Sequence, residues 1–564
     1  MKTSVLAHIT FVVSWHSKFV VQKKLLLFTM VGIIATANAQ WTDNPLMNTL
    51  VRKSTDHPMG SATSDGVGGA YIFWRDGNII RCQHLSSSGY LLWDTSGVPV
   101  AEPQASLNWV KSVPDGQGGA IIVWDEASTQ RLYAQRINWD GVRMWLPRGV
   151  RVNPDTVRYY FGFNIASDGS GGVIAAWRGF RLPFGSTHNV LIQRIDSHGR
   201  IAWQSDALEL GAIVSGISND QPSICSDDNG GGFVAWTGSN LEIGGPRIRV
   251  QRVSKDGSIC WQSGGVAVSD TSTEQYDPVI ANDGLGGVVL MWWDRHRYDL
   301  YYAQRVNGLG ELLWPDRGVL VSQRHFYKDI ISDEVGGIIA TWSEDNAPFR
   351  VHAQRIGANG LPLWSTTGVV VEDSGYAENP LVISDGANGA IILWQSHGGL
   401  YAQRVDASGV LSWMTNGVPV STQLLTLPFP IMVSSNPEGV IVLFNTWIPP
   451  VQHEYYAQWL SFRGRLTPEG AQGGIDPSIP NLFQNYPNPF NPRTTISFYS
   501  PSRLFVSLKV YDLLGREVST IVDEELPIGY YPRQWDARGL ASGIYFYRLT
   551  AGSSVQTRKL VVLR

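Results

Sequence analysis

Cysteine is scarce in this chain: three residues in 564, Cys82, Cys225 and Cys260. Three thiols cannot make a disulfide framework, and none lies in a CxxC pair or beside a histidine at zinc-ligand spacing, so all three are expected to be small buried apolar residues. Charge is sparse as well. Asp, Glu, Lys and Arg make up 16% of the sequence and the formal net charge is −4, which excludes a coiled coil, a disordered chain and a basic nucleic-acid-binding protein. No apolar run reaches the about 20 residues needed to span a bilayer. Catalytic signatures are missing too: there is no GxSxG, no HExxH, no Walker P-loop and no dinucleotide fingerprint on a βαβ pattern. No metal site and no cofactor is expected.

What is abundant is glycine, with 59 residues, and tryptophan, with 22. Both recur with a period of about 50 residues, the range of propeller blades. The clearest copies read SDGVGGAYIFW (64–74), PDGQGGAIIVW (114–124), SDGSGGVIAAW (167–177), NDGLGGVVLMW (282–292) and SDGANGAIILW (384–394). Weaker copies end at Trp236, Trp342 and Phe444. Each is followed by YAQR or a relative, at Gln83, Gln135, Gln193, Gln251, Gln304, Gln354, Gln403 and Gln458. A third segment carries Trp93, Trp145, Trp203, Trp261, Trp314, Trp364 and Trp413. The Val, Ile, Trp and Tyr content, punctuated by Gly and Asp, predicts four short strands per unit. The fold class expected is therefore all-β: an eight-bladed β-propeller over residues 40–466, followed by a small Ig-like β-sandwich.

Spacing separates scaffold from variable surface. The interval from the third-strand Gln to the fourth-strand Trp is ten residues in seven units, whereas that from the second-strand Trp to the same Gln runs from nine to sixteen. The first connection is thus a fixed hairpin, and the second, together with the links between units, should form the functional face. The eighth unit has Pro468 where its fourth-strand Trp is due. Trp41 lies 33 residues before Trp74, close to the spacing of the other units, so residues 41–51 are expected to complete the last blade and close the ring. The repeated Asp-Gly reads as a turn in which Asp caps the backbone; one carboxylate per turn is too few for a Ca²⁺ site needing 6–8 oxygens. A Gln-Arg pair repeated in most units reads as bonding between blades, since a single active site would not recur.

The N-terminus has the form of an export signal: Lys23 and Lys24, an apolar run from Leu25 to Ile34, and Ala37-Asn38-Ala39 just before Gln40. Residues 1–39 are assigned to it, with two start points open, Met1 and one near Val20 or Val21. Residues 467–482 are Gly- and Pro-rich and read as a linker.

Residues 483–564 hold FQNYPNPFNP, then VYDLLGREV and SGIYFYRL. On Asn485, Tyr486, Pro487, Asn488, Pro489, Phe490, Asn491, Gly515, Gly543, Tyr545 and Lys559, this segment resembles the type A C-terminal sorting domain of the type IX secretion system. The resemblance implies an exported protein that partners the type IX machinery, secreted or held at the cell surface, with attachment to surface lipopolysaccharide as one outcome.

Two function classes follow for the ring. One is a surface protein that binds a glycan or a protein. The other is a secreted glycoside hydrolase or polysaccharide lyase, the former needing two carboxylates roughly 5–10 Å apart. Binding is favoured, with no catalytic residue assigned. The links into the first strands carry Trp109, Tyr160, Tyr276, Tyr327, Tyr376 and Phe429, with Asp220, Asp277 and Glu378 among them, and these nine are the expected ligand-binding residues. The competing expectation for the rings is packing between adjacent blades.

Overall fold

The computed structural model describes residues 41–562 except 43, 55–59, 182–187, 214–220, 241–244, 270–272, 296–299, 324, 345–348, 397, 423–429, 437–438, 449–451, 467–479, 483–484, 486–489, 491 and 528. The expected export signal and most of the expected linker lie outside the described residues. Within them every regular element is a strand, and no helix is long and apolar enough to cross a membrane.

Eight four-stranded antiparallel sheets follow one another from residue 49 to 461. In the first, Ser61–Ser64, Ala70–Asp76, Ile79–Leu85 and Val98–Ala101 hydrogen-bond in chain order. The second strand of each unit is a continuous apolar run rather than an alternating one. In Ala120–Glu126 all seven residues are buried, because neighbouring units cover both faces of the sheet. The first strands are Ser61–Ser64, Val110–Pro114, Val157–Ser167, Ser223–Ser226, Glu274–Asn282, His325–Ser332, Ala377–Ser384 and Ile431–Asn436. Each packs on the next, and the eighth packs on the first.

A buried glutamine explains the constant ten-residue interval. Gln304 accepts the backbone N–H of Trp314 on Oε1 at 3.0 Å and donates from Nε2 to the carbonyl of Pro315 at 3.0 Å. The strand and its return are thereby stapled, and a longer or shorter hairpin would orphan an interior amide. The same bonds form at Gln135 and Gln403.

The Asp-Gly turns behave as expected. Asp168 accepts the N–H groups of Ser170 and Gly172 on Oδ1 at 2.8 and 2.7 Å, while Oδ2 accepts Arg194 Nη2 at 2.7 Å. Burial alone would raise this carboxyl, but the backbone bonds and Arg194 hold it below its ordinary range. The free end of Arg194 reaches the next unit. Its Nη1 and the indole of Trp203 both donate to the carbonyl of Lys255, at 3.1 and 2.9 Å. Gly257, in the same hairpin at φ +88°, lies under that indole, where an added Cβ would come within 2.9 Å of the ring. Unit three thus grips the hairpin of unit four. Trp145, Trp261, Trp314, Trp364 and Trp413 make the equivalent bond to Ser197, Gly308, Ala358, Ala407 and Phe462.

The eighth sheet takes its fourth strand from the N-terminus. Thr49–Ser54 pairs antiparallel with Gln452–Ser461. Trp41 is buried and donates to the carbonyl of Ser87 in unit one at 2.7 Å, the bond that other units make with their fourth-segment Trp. Gln458 bonds to the carbonyl of Thr42 at 2.9 Å, as Gln135 does to Leu146. The strand itself, Thr49–Ser54, starts later than the expected 41–51, eight residues after the buried Trp41. Unit eight also lacks the Asp–Arg pair: Trp459 stands in the Arg position, its ring beside Gly439.

The cysteines differ from expectation at one position. Cys82 is buried and Cys225 half-buried, but Cys260 is exposed. It precedes Trp261, and where the indole turns inward its neighbour faces solvent, as Leu92 and Met144 do at the same place.

Residues 481–562 form a three-stranded and a four-stranded sheet over one core that includes Phe490, Phe498, Val506, Trp535, Tyr547 and Leu560.

Candidate functional site

In each unit the antiparallel register sets the start of the first strand beside the end of the second, as in Val110 opposite Trp124. The links and the variable second-to-third connections therefore emerge together. Trp109 shows the local wiring: its N–H and that of Asn108 donate to Asp125 at the end of the second strand, at 2.7 and 3.2 Å. Burial holds the Asp125 carboxyl above its ordinary range despite these bonds.

The first strands carry a girdle of polar contacts between units. Ser61 and Ser112 hydroxyls meet at 2.8 Å, and Lys111 Nζ donates to Asn164 Oδ1. Asn164 in turn donates to the carbonyl of Pro222 at 2.9 Å. Asn282 reaches the carbonyl of Ser226 at 3.3 Å, and Lys328 Nζ that of Asp277 at 2.6 Å. Asp329 accepts the N–H of Val382 at 3.1 Å. Burial depresses the ammonium groups of Lys111 and Lys328 to about 8, in the second case against the pull of Asp277. It pushes the Asp329 carboxyl up to about 6, against backbone bonds from Val382 and Ile330.

The nine expected binding residues fall into different situations. Trp109 is 46% and Tyr376 63% exposed, and Glu378 is exposed. Tyr376 forms a parallel bridge to Phe349, just after the variable connection of unit six. Tyr276 does not present its ring: it is 7% exposed, packs at a tilt of 41° on Trp293 with centroids 5.4 Å apart, and donates from its hydroxyl to Glu274 at 2.8 Å. The cause is a bulge at Asp277, whose φ is +61° and which breaks the pairing register between Tyr276 and Val279. Asp277 is half-buried, its carbonyl engaged by Lys328. Tyr160 and Tyr327 belong to first strands, but their side chains lie outside the described residues, as do Asp220 and Phe429 entirely.

One pocket of about 400 Å³ lies where several units meet. It is lined by Ser61 and Ala62 of unit one, Trp109 and Lys111 of unit two, Asn164 of unit three, Gln221 ahead of unit four, and Ile431 of unit eight. Of the nine expected residues it contains Trp109 alone. Lys111, Asn164 and Gln221 were not anticipated from the sequence; the one available signal was a lysine inside a strand otherwise reading Val, Ser, Val. Among the described residues no cluster of His, Cys, Asp or Glu is arranged to hold a metal ion.

In the C-terminal sheets, Asn485 is fully buried, its N–H donating to the Tyr547 hydroxyl at 2.8 Å and its side-chain amide to Thr494 at 2.9 Å. Phe490 bridges to Val562 in the last strand and fills the core. Gly515, at φ +76°, closes the turn that Asp512 caps, Gly543 opens the strand Gly543–Ala551, and the Tyr545 hydroxyl donates to Ala541 at 3.0 Å. Lys559 stands opposite Phe546. Tyr486, Pro487, Asn488, Pro489 and Asn491 lie outside the described residues.

Comparison with known proteins divides along the chain. No curated protein matches it. Among solved structures, a Hadza microbial sialidase is similar at 11% identity and TM-score 0.30, over 58% of this chain and 73% of that one. PorZ, a surface component of the type IX secretion system of Porphyromonas gingivalis, is similar at 13% identity and TM-score 0.26, over 90% and 70%. Prolyl oligopeptidase B of Galerina marginata gives 10% and 0.39 over 69% of this chain, which spans 55% of its length. None of these likenesses is close enough to bear on activity. The family described as the secretion system C-terminal sorting domain matches residues 484–563, with the buried Asn485 and Phe490 inside it. Those residues are a type IX sorting domain, and the chain is cargo of that system, exported to the outer membrane, the cell surface or the medium.

Proposed function

We propose that residues 40–466 form an eight-bladed β-propeller that binds a glycan or protein ligand outside the cell, at the mouth where the links enter the first strands. Residues 1–39 are its export signal, 467–482 a linker, and 483–564 an Ig-like sorting domain. Three observations support the ring: eight sheets of one pattern, first strands packed in an unbroken cycle, and the Trp41 bond that joins unit eight to unit one. The observation that carries binding is the pocket shared by units one, two, three and eight, with the half-exposed Trp109 ring beside polar side chains. Its volume falls in the range of about 300–1,000 Å³ typical of ligand pockets.

A glycan array probed with the mature protein, run beside degradation assays on the same polysaccharides, tests this reading. Saturable binding that Trp109→Ala weakens, with no product formed, is the expected result. Degradation of a bound polysaccharide would replace it with the hydrolase or lyase reading.

A further inference from the structure

Among the described residues lining the pocket, Lys111 is the sole ionisable side chain. It stands on the short strand Val110–Pro114, with its ammonium on the neutral amide oxygen of Asn164 and 5.9 Å from the centre of the Phe163 ring. Neither neighbour cancels its charge, and no carboxylate lines the pocket among the described residues. Of the acids in the same unit, Asp125 is committed to the amides of Trp109 and Asn108 and Asp115 to Arg136, so neither serves Lys111. Its depressed basicity fits a group withdrawn from water without a counter-charge. A desolvated cation of this kind is stabilised by an anion, and a charge-assisted bond formed there is stronger than a neutral one.

The rest of the lining restricts what carries that anion. Trp109 offers a flat apolar ring, the kind of surface that stacks on the hydrogen-bearing face of a pyranose. The Ser61–Ser112 hydroxyl pair and the amide of Gln221 are donors and acceptors suited to sugar hydroxyls. Resting on the binding reading above, we infer that the pocket takes a carboxylate-bearing sugar, with Lys111 pairing the carboxylate and Trp109 stacking on the ring.

The test uses the mature protein and oligomers of galacturonate, glucuronate and mannuronate, each beside its carboxyl-reduced neutral counterpart, by calorimetry. At least one acidic oligomer is expected to bind about tenfold more tightly than its reduced partner, and the preference should shrink as salt is raised. Lys111→Met should remove the preference, whereas Trp109→Ala should weaken acidic and neutral forms alike. Because the comparison of acidic with reduced sugar is made on the unaltered protein, it stands even where a variant fails to fold. Equal binding of both forms overturns the inference and leaves the binding reading in place. Binding of none of the six, or displacement of sugar by a polyglutamate peptide at lower concentration, overturns the choice of sugar.

Discussion

At the scale of single residues, stability rests on a triad of Asp, Arg and Trp, repeated in units two to seven, that ties each of these units to itself and then to its neighbour. The Arg305–Asp283 contact, at 2.9 Å with side chains 11% and 1% exposed, is representative. Arg305→Ala leaves a buried carboxylate without its cation and is expected to cost about 3–5 kcal/mol in denaturant unfolding. Asp283→Asn in the same chain should recover part of that loss, since the stranded charge is gone; full additivity would argue against direct coupling. Asp65 and Asp168 are both held below the ordinary carboxyl range, Asp65 by the hydrogen bond from His84 and two backbone amides that outweigh its burial. A depressed carboxyl adds stability that is complete above its unfolded value of about 3.9 and disappears as pH falls through the folded one. The contribution of these turns to the midpoint of unfolding should therefore hold steady from pH 7 to about pH 5 and drop away below about pH 4, whereas Asp329, held at about 6, adds stability as pH falls through that value. Asp168→Asn should flatten that drop, and an unchanged acid limb would remove these turns from the explanation.

At the scale of elements, the decisive piece is the N-terminal strand. Removing residues 41–54 takes away the strand paired with Gln452–Ser461, the indole bond to Ser87 and the partner of Gln458. Loss of one large buried aromatic alone costs about 3–5 kcal/mol, so Tm should fall on the order of 10 °C relative to a chain starting at Gln40. Calorimetry decides it; an unchanged Tm would mean the seam contributes nothing. Much of this was legible in the sequence because it is written in spacing: the ten-residue hairpins follow from Gln304 and its equivalents, and the 33-residue step placed Trp41 correctly. The first strands were harder to read. They run from four to eleven residues, and their side chains find partners in the next unit: Lys111 meets Asn164, 53 positions away. Tyr276 was expected on the rim from its place in the link entering the first strand, but it is buried beside the bulge at Asp277. The following Pro278 and the Asn379-Pro380 pair, whose Asn also has positive φ, were the available signs of such bulges.

At the scale of the whole molecule, the chain divides into a part that travels and a part that addresses it. The sorting domain has its own core of Phe498, Val506, Trp535 and Tyr547, separate from the apolar clusters of the eight sheets. Deleting residues 483–564 should leave a folded ring, seen as an unchanged melting transition for residues 40–466, that accumulates in the periplasm; recovery outside the cell would break the assignment of the signal. The central claim is that eight units close through a strand from the N-terminus. Electron microscopy of the exported protein, averaged in views down the ring axis, addresses it most directly. The expected image has eight blades around a central channel with density continuous across the joint between units eight and one. Seven blades, nine, or an open gap at that joint would contradict it.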